Sequence, residues 1–93
     1  MQTIELTILN ASGLHARPAA TFVKAAAGFK SKITVENITR GTAPGDAKSF
    51  LKVITHGAVK GHVIRLTIDG EDEDAAARTL GDLVSSGMGE AVD

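Results

Sequence analysis

Positions 2–9 alternate, with Ile4, Leu6 and Ile8 on one side and Thr3, Glu5 and Thr7 on the other. A period of two is the signature of a half-buried strand. Asn10-Ala11-Ser12-Gly13 is turn chemistry and ends it. From Ala16 the apolar positions Ala19, Phe22, Val23, Ala26 and Ala27 recur at offsets of three and four, one face of a helix, with Gly28 as its stop. Ile33 and Val35 against Thr34 and Glu36 predict a second strand. The segment Arg40–Asp46 holds two Gly and one Pro, a loop with room for a short edge strand. Phe50-Leu51-Lys52-Val53-Ile54 follows Ser49 and closes near Gly57. Its length favours a short helix capped at or near Ser49, and a strand is the alternative. Residues 63–69 alternate again, Ile64, Leu66 and Ile68 against Arg65, Thr67 and Asp69. Asp72 is placed to cap a last helix with core face Ala76, Leu80, Leu83 and Val84, ending at Gly87.

The order is therefore β-α-β-(β)-α-β-α, without repeats or long linkers. Strands mixed with helices in 93 residues imply an α+β fold, an antiparallel sheet with helices on one face, as a single domain over 1–93.

Composition narrows the function. No apolar run approaches the roughly 18 residues that cross a bilayer, and no signal segment follows Met1. Cysteine is absent, which removes disulfides and thiolate chemistry and fits a reducing cytoplasm. Three Phe are the whole aromatic content, too few for base stacking, and a net charge of −1 gives nucleic acid no bulk attraction. That mean hides a split. Residues 1–60 carry eight Lys/Arg against three acids, and residues 61–93 carry two against eight. A basic front half points to a surface that meets anions or acidic partners, with charges solvating separate faces as the plainer alternative.

The informative stretch is Gly13-Leu14-His15-Ala16-Arg17-Pro18-Ala19. Proline is tolerated in a helix only in its first turn, so Pro18 sets the helix start near Ala16 and makes His15 the cap or the residue before it. The free N–H groups of Ala16 and Arg17 then converge at the positive end of the helix, a ready anion site. Arg17 adds a planar donor fork suited to phosphate, and Ser12 offers a hydroxyl nearby. A neutral imidazole is nucleophilic and titrates near neutrality. It can take a phosphoryl group while the helix end and Arg17 hold the dianion, and a phosphoramidate can be passed on. The site suits a carrier better than a hydrolase. It calls for no metal or cofactor, and no acidic cluster is evident beside the loop. A capping histidine with a solvated arginine is the alternative, and it weakens because Pro18 fixes both residues at one helix start.

Ala16, Ala20, Thr21 and Lys24 face away from the core of the first helix and leave room for a partner. The run Phe50, Leu51, Val53 and Ile54 is too dense for one face of a two-turn helix, so Phe50 or Leu51 is expected at the surface. Rimmed by Lys48 and Lys52, that patch reads as a docking surface. Ser49 is explained by capping alone; a phosphate there would place negative charge in the patch and repel an acidic partner. His56 and His62 lack metal-ligand spacing and are expected at the surface. The acid run Asp69–Asp74 lies where a helix starts and reads as capping and solubility rather than a calcium loop.

The stretch Gly13–Ala19 matches in full the G-[ILV]-H-A-R-P-A signature of HPr, the histidine-containing phosphocarrier family of the bacterial phosphoenolpyruvate:sugar phosphotransferase system. Lys48-Ser49-Phe50-Leu51 through Gly57-Ala58-Val59-Lys60-Gly61 resembles a second family block. The resemblance runs over nearly the whole chain. It implies an open-faced β-sandwich, four antiparallel strands covered on one face by three helices, and a cytoplasmic monomer that is a carrier rather than an enzyme. It implies that His15 is phosphorylated on Nδ1 by enzyme I and passes the group to enzyme IIA domains for sugar uptake, with Arg17 stabilising the phosphohistidine. Ala20, Lys24, Phe50, Leu51 and Ile54 correspond to partner contacts, and Ser49 to the serine modified by HPr kinase/phosphorylase. The chain departs from the family in a longer Arg40–Asp46 loop containing Pro44, and in Phe50 and Leu51 after the serine. Both bear on partner choice. The form is also similar to HPr-like domains within multiphosphoryl transfer proteins.

Two other classes compete. A binding module that has kept the fold without phosphorylation would not need the intact His15/Arg17 pair. A small enzyme using His15 as a general base would need a group to orient it and a pocket, and the sequence places neither.

Overall fold

The computed structural model describes residues 1–90, so the last three positions of the expected 1–93 unit lie outside the described residues. Four strands and three helices follow in the order β1 (Gln2–Thr7), α1 (Ala16–Ala27), β2 (Lys32–Asn37), β3 (Gly45–Asp46), α2 (Phe50–Thr55), β4 (Val63–Asp69) and α3 (Glu73–Ser85). The sheet order is β1-β4-β2-β3, antiparallel throughout. This is the expected open-faced sandwich, and α2 is a helix.

Register explains why one face is covered and the other open. Ile4, Leu66 and Val35 lie in one cross-strand row, and Leu6, Ile64 and Asn37 in another. Both rows point towards the helices, where Phe22, Ala26, Leu80 and Val84 close the core without exposed surface. The outward rows are polar. Glu5, Arg65 and Glu36 stand side by side, and Arg65 bonds Glu5 at 2.9 Å. Such alternation is what an antiparallel sheet with one solvated face requires.

Three local expectations change. Ala27 is exposed, because α1 ends there and a step of ~100° per residue turns it off the stripe that Ala26 occupies. Leu83 is only half-buried at the margin of the core. Asp72 stands at the start of α3 but makes no side-chain cap bond. Its carboxylate instead accepts from the Lys30 and Ser31 amides and from the Ser31 hydroxyl, tying the α1–β2 turn to α3. These donors, the Ser31 hydroxyl foremost, lower its pKa from 3.8 to about 2.

Candidate functional site

The loop between β1 and α1 is anchored on both sides of His15. The Leu14 amide donates to the Ala58 carbonyl at 2.8 Å and its side chain is buried. Gly13 has φ +63°, and a Cβ there would lie 2.3 Å from the Ala58 oxygen, so no other residue fits. On the other side Pro18 and Ala19 are buried against the core. Between these anchors His15, Ala16 and Arg17 are exposed.

His15 occupies the N-cap position of α1 with extended backbone (φ −144°, ψ 152°), and its side chain makes no capping bond. Among the described residues, the amides of Ala16 and Arg17 have no acceptor. Ala16 has φ +51°, a left-handed conformation that costs a non-glycine residue about 1–2 kcal/mol. The chain holds that geometry because Leu14 and Pro18 fix it from both sides. Arg17 makes no ion pair among the described residues. The helix start is therefore open, cationic and next to a free imidazole. Such an arrangement can receive an anion on the ring and solvate it with N–H donors.

Sequence reasoning missed a carboxylate here. After α3 the Met88 amide bonds Leu83 O at 2.9 Å and the Gly87 amide bonds Val84 O at 3.1 Å, the paired bonds of a Schellman turn. Gly87, Met88 and Gly89 all have positive φ, which turns the tail back towards the β1–α1 loop. Glu90 then accepts from Asn10 Nδ2 at 2.9 Å, Ser12 N at 3.3 Å and Ser12 Oγ at 3.0 Å. The bond from Asn10, followed by that from Ser12, holds its pKa below the usual glutamate value, with a smaller contribution from the charge of Arg17. A single carboxylate therefore stands beside the loop, and the Ser12 hydroxyl is already engaged. The glycines of Gly87-Met88-Gly89 were the available signal that the tail turns sharply.

The docking residues lie on neighbouring helices, since α1 packs against α2. Ala20 and Lys24 are exposed on α1; Phe50 and Leu51 are 44% and 65% exposed on α2, and Ile54 is half-buried. Val59, 51% exposed, lies beside the β1–α1 loop, its Cα 2.8 Å from where a Cβ at Gly13 would stand. It was not foreseen, because a lone Val in a glycine-flanked turn carries no periodic signal. Lys48 does not rim the patch as a free charge: its ammonium donates to Phe29 O at 2.6 Å. Ser49 caps α2, its Oγ accepting from the Lys52 amide at 3.3 Å. His56 is 6% exposed rather than at the surface.

A cavity of about 370 Å³ beside β3 is lined by residues such as Lys30, Pro44 and Lys48, and a second lies beside α1 at Lys24 and Phe29. Neither includes His15. Among the described residues no group of three or more His, Cys, Asp or Glu could hold a metal ion, and no helix is long and apolar enough to cross a membrane.

An exposed histidine at an open helix end, on an open-faced sandwich, defines a small phosphoryl-carrier class. Comparison with known proteins agrees. Residues 2–86 match the family described as "PTS HPr component phosphorylation site". The chain is 41% identical over 80 residues to the phosphocarrier protein HPr of Haemophilus influenzae, covering 86% of this chain and 91% of that one. It is 43% identical over 86 residues to the multiphosphoryl transfer protein of the same organism, covering 92% of this chain but 17% of that much longer one. A crystal structure of HPr-C-His from Thermoanaerobacter tengcongensis superposes with a TM-score of 0.91 at 39% identity, over 99% of this chain and 100% of that one. The chain belongs to the HPr family, phosphocarrier proteins of the phosphotransferase system that are not enzymes.

Proposed function

We propose that His15 carries the phosphoryl group, taking it on Nδ1 from phospho-enzyme I and passing it to enzyme IIA domains in sugar uptake. The single observation that carries this is the exposed His15 ring beside the two open amides of Ala16 and Arg17. The Nδ1 lone pair forms the N–P bond as the donor's bond to phosphorus breaks. The Ala16 and Arg17 amides and the Arg17 guanidinium hold the equatorial oxygens. Exposure leaves these donors partly hydrated, so the group is held loosely enough to leave again. Ser12 joins them only when its hydroxyl turns from Glu90.

Ala20, Lys24, Phe50, Leu51, Ile54 and Val59 form the surface on which enzyme I and the IIA domains alternate. The carrier acts in the cytoplasm as a monomer, its 1–93 unit free or within a longer chain. Incubation with enzyme I, labelled phosphoenolpyruvate and Mg²⁺ should give an acid-labile label that His15→Ala abolishes. Label persisting in the folded variant would move the site elsewhere.

The same geometry supports a regulatory role for Ser49. Its Oγ uses a lone pair on the Lys52 amide, while Phe50 and Leu51 flank it on the exposed face. Phosphorylation by HPr kinase/phosphorylase would set a dianion in the docking patch without dismantling α2. Ser49→Asp should weaken enzyme I binding about tenfold or more; unaltered affinity would leave Ser49 a cap.

A further inference from the structure

The cavity of about 370 Å³ beside β3 shares no residue with the His15 site. One wall is the α1–β2 turn and the start of β2, with Lys30, Lys32 and Thr34. The other comes from the β2–β3 loop and the chain that follows it, with Pro44, Asp46 and Lys48.

Both walls are held from behind. The Lys30 and Ser31 amides donate to the Asp72 carboxylate at 2.7 and 2.9 Å, which ties the turn to α3. Across the cavity Asp46 pairs with Thr34, and the Ala47 amide bonds Ile33 O at 3.0 Å. Pro44 fixes its own φ. Gly45 is pressed against the end of α2, since a Cβ there would stand 2.5 Å from His56 Cε1. Walls set before a ligand arrives leave little ordering cost for binding.

Three ammonium groups line this space against one carboxylate. Lys48 is half-buried, and its Nζ donates to Phe29 O at 2.6 Å. That bond holds the ammonium in place and leaves two of its three N–H groups for another acceptor. Lys30 and Lys32 are exposed, and neither forms an ion pair among the described residues. The neighbouring acids are engaged elsewhere. Asp46 accepts from the Lys48 amide at 2.9 Å, and Asp72 holds the turn. Asp69, opposite Lys32 on β4, lies 3.8 Å from the amino terminus.

The lining therefore carries two positive charges in excess. That is the complement of one phosphate monoester, whose charge near neutrality approaches about −2. Lysine ammoniums suit such a group as point charges. Thr34, half-buried on the outward face of β2, adds a hydroxyl. The volume falls near the low end of ligand sites, about 300–1,000 Å³, and so admits only a small carbon body.

We propose that this cavity binds a small organic phosphate. Lys30, Lys32 and Lys48 hold the phosphate group, and Thr34 and Pro44 flank the carbon body.

The test uses the unphosphorylated protein alone, so its failure would leave the carrier proposal untouched. In amide NMR near neutral pH and at constant ionic strength, glycerol 3-phosphate should shift Lys32, Thr34, Asp46 and Lys48 saturably. The expected dissociation constant is about 1 mM or tighter. Inorganic phosphate, which lacks the carbon body, and succinate, which lacks the phosphate, should bind the same amides several-fold more weakly. Lys30→Gln combined with Lys32→Gln changes only exposed side chains and should weaken glycerol 3-phosphate binding about tenfold or more. Shifts that do not saturate would overturn the proposal, as would shifts confined to the Ala16 and Arg17 amides or an affinity unchanged in the double variant. Equal affinity for inorganic phosphate or for succinate would overturn the assignment to an organic phosphate. The wild-type titration decides the matter even if the variant fails to fold.

Discussion

At the start of α1, His15 has φ −144° and ψ 152°; at the start of α2, Ser49 has φ −105° and ψ 115°. Both residues hold extended backbone ahead of a helix, yet their side chains behave oppositely. Ser49 turns its hydroxyl back onto the Lys52 amide and closes the helix end. His15 leaves its helix end open, and the residue after it is left-handed. One terminus contributes its donors to stability. The other keeps them for an anion from outside, at a cost in backbone strain that the anchors Leu14 and Pro18 sustain. Stability and function are therefore separable between two neighbouring helix starts.

That separation can be broken or sharpened by substitution. Arg17→Ala should slow phosphoryl transfer from enzyme I by about 10- to 100-fold, the value of a charge-assisted hydrogen bond to phosphate, with an unchanged circular dichroism spectrum. Unaltered rates would confine the site to the imidazole and amides. Ser49→Ala should lower unfolding stability by about 1 kcal/mol in denaturant titrations, whereas His15→Ala should stay within about 0.5 kcal/mol of the parent. Equal losses would deny the distinction. Ala16→Gly should raise stability by about 0.5–1 kcal/mol by relieving the left-handed residue, less the extra entropy of glycine in the unfolded chain.

The smallest effect belongs to Glu90. Its depressed pKa means that its bonds to Asn10 and Ser12 stabilise the folded chain above the ordinary value of 4.5 and fade as pH falls through the lower folded value. Glu90→Gln should remove the acid-range shift of the Ser12 amide in NMR titrations and leave the neutral spectrum nearly intact. A titrating Ser12 amide in the variant would point to a different acid.

Much of this was legible in the residues. The period-two stretches register against one another as β1, β4 and β2, and Pro18 locates the start of α1. Local rules carry such features, because each depends on neighbours in the chain. What was not legible depends on distant segments. Glu90 meets Ser12 across 78 positions, through a tail turned by three consecutive positive φ angles. His56 is buried because the β2–β3 loop folds over it, and nothing in a His-Gly pair reveals that. Asp72 leaves its own helix end uncapped to bind another turn, and Lys48 reaches a carbonyl 19 positions away. The short β3 pairs only Thr34 with Asp46 and Val35 with Gly45, too little for a periodic signal.

The most direct test is amide NMR of the protein before and after phosphorylation by enzyme I. The open-terminus account predicts that the largest downfield amide shifts fall on Ala16 and Arg17, while the Lys52 amide at the closed end of α2 hardly moves. Phosphohistidine formed with Ala16 and Arg17 unmoved would contradict it.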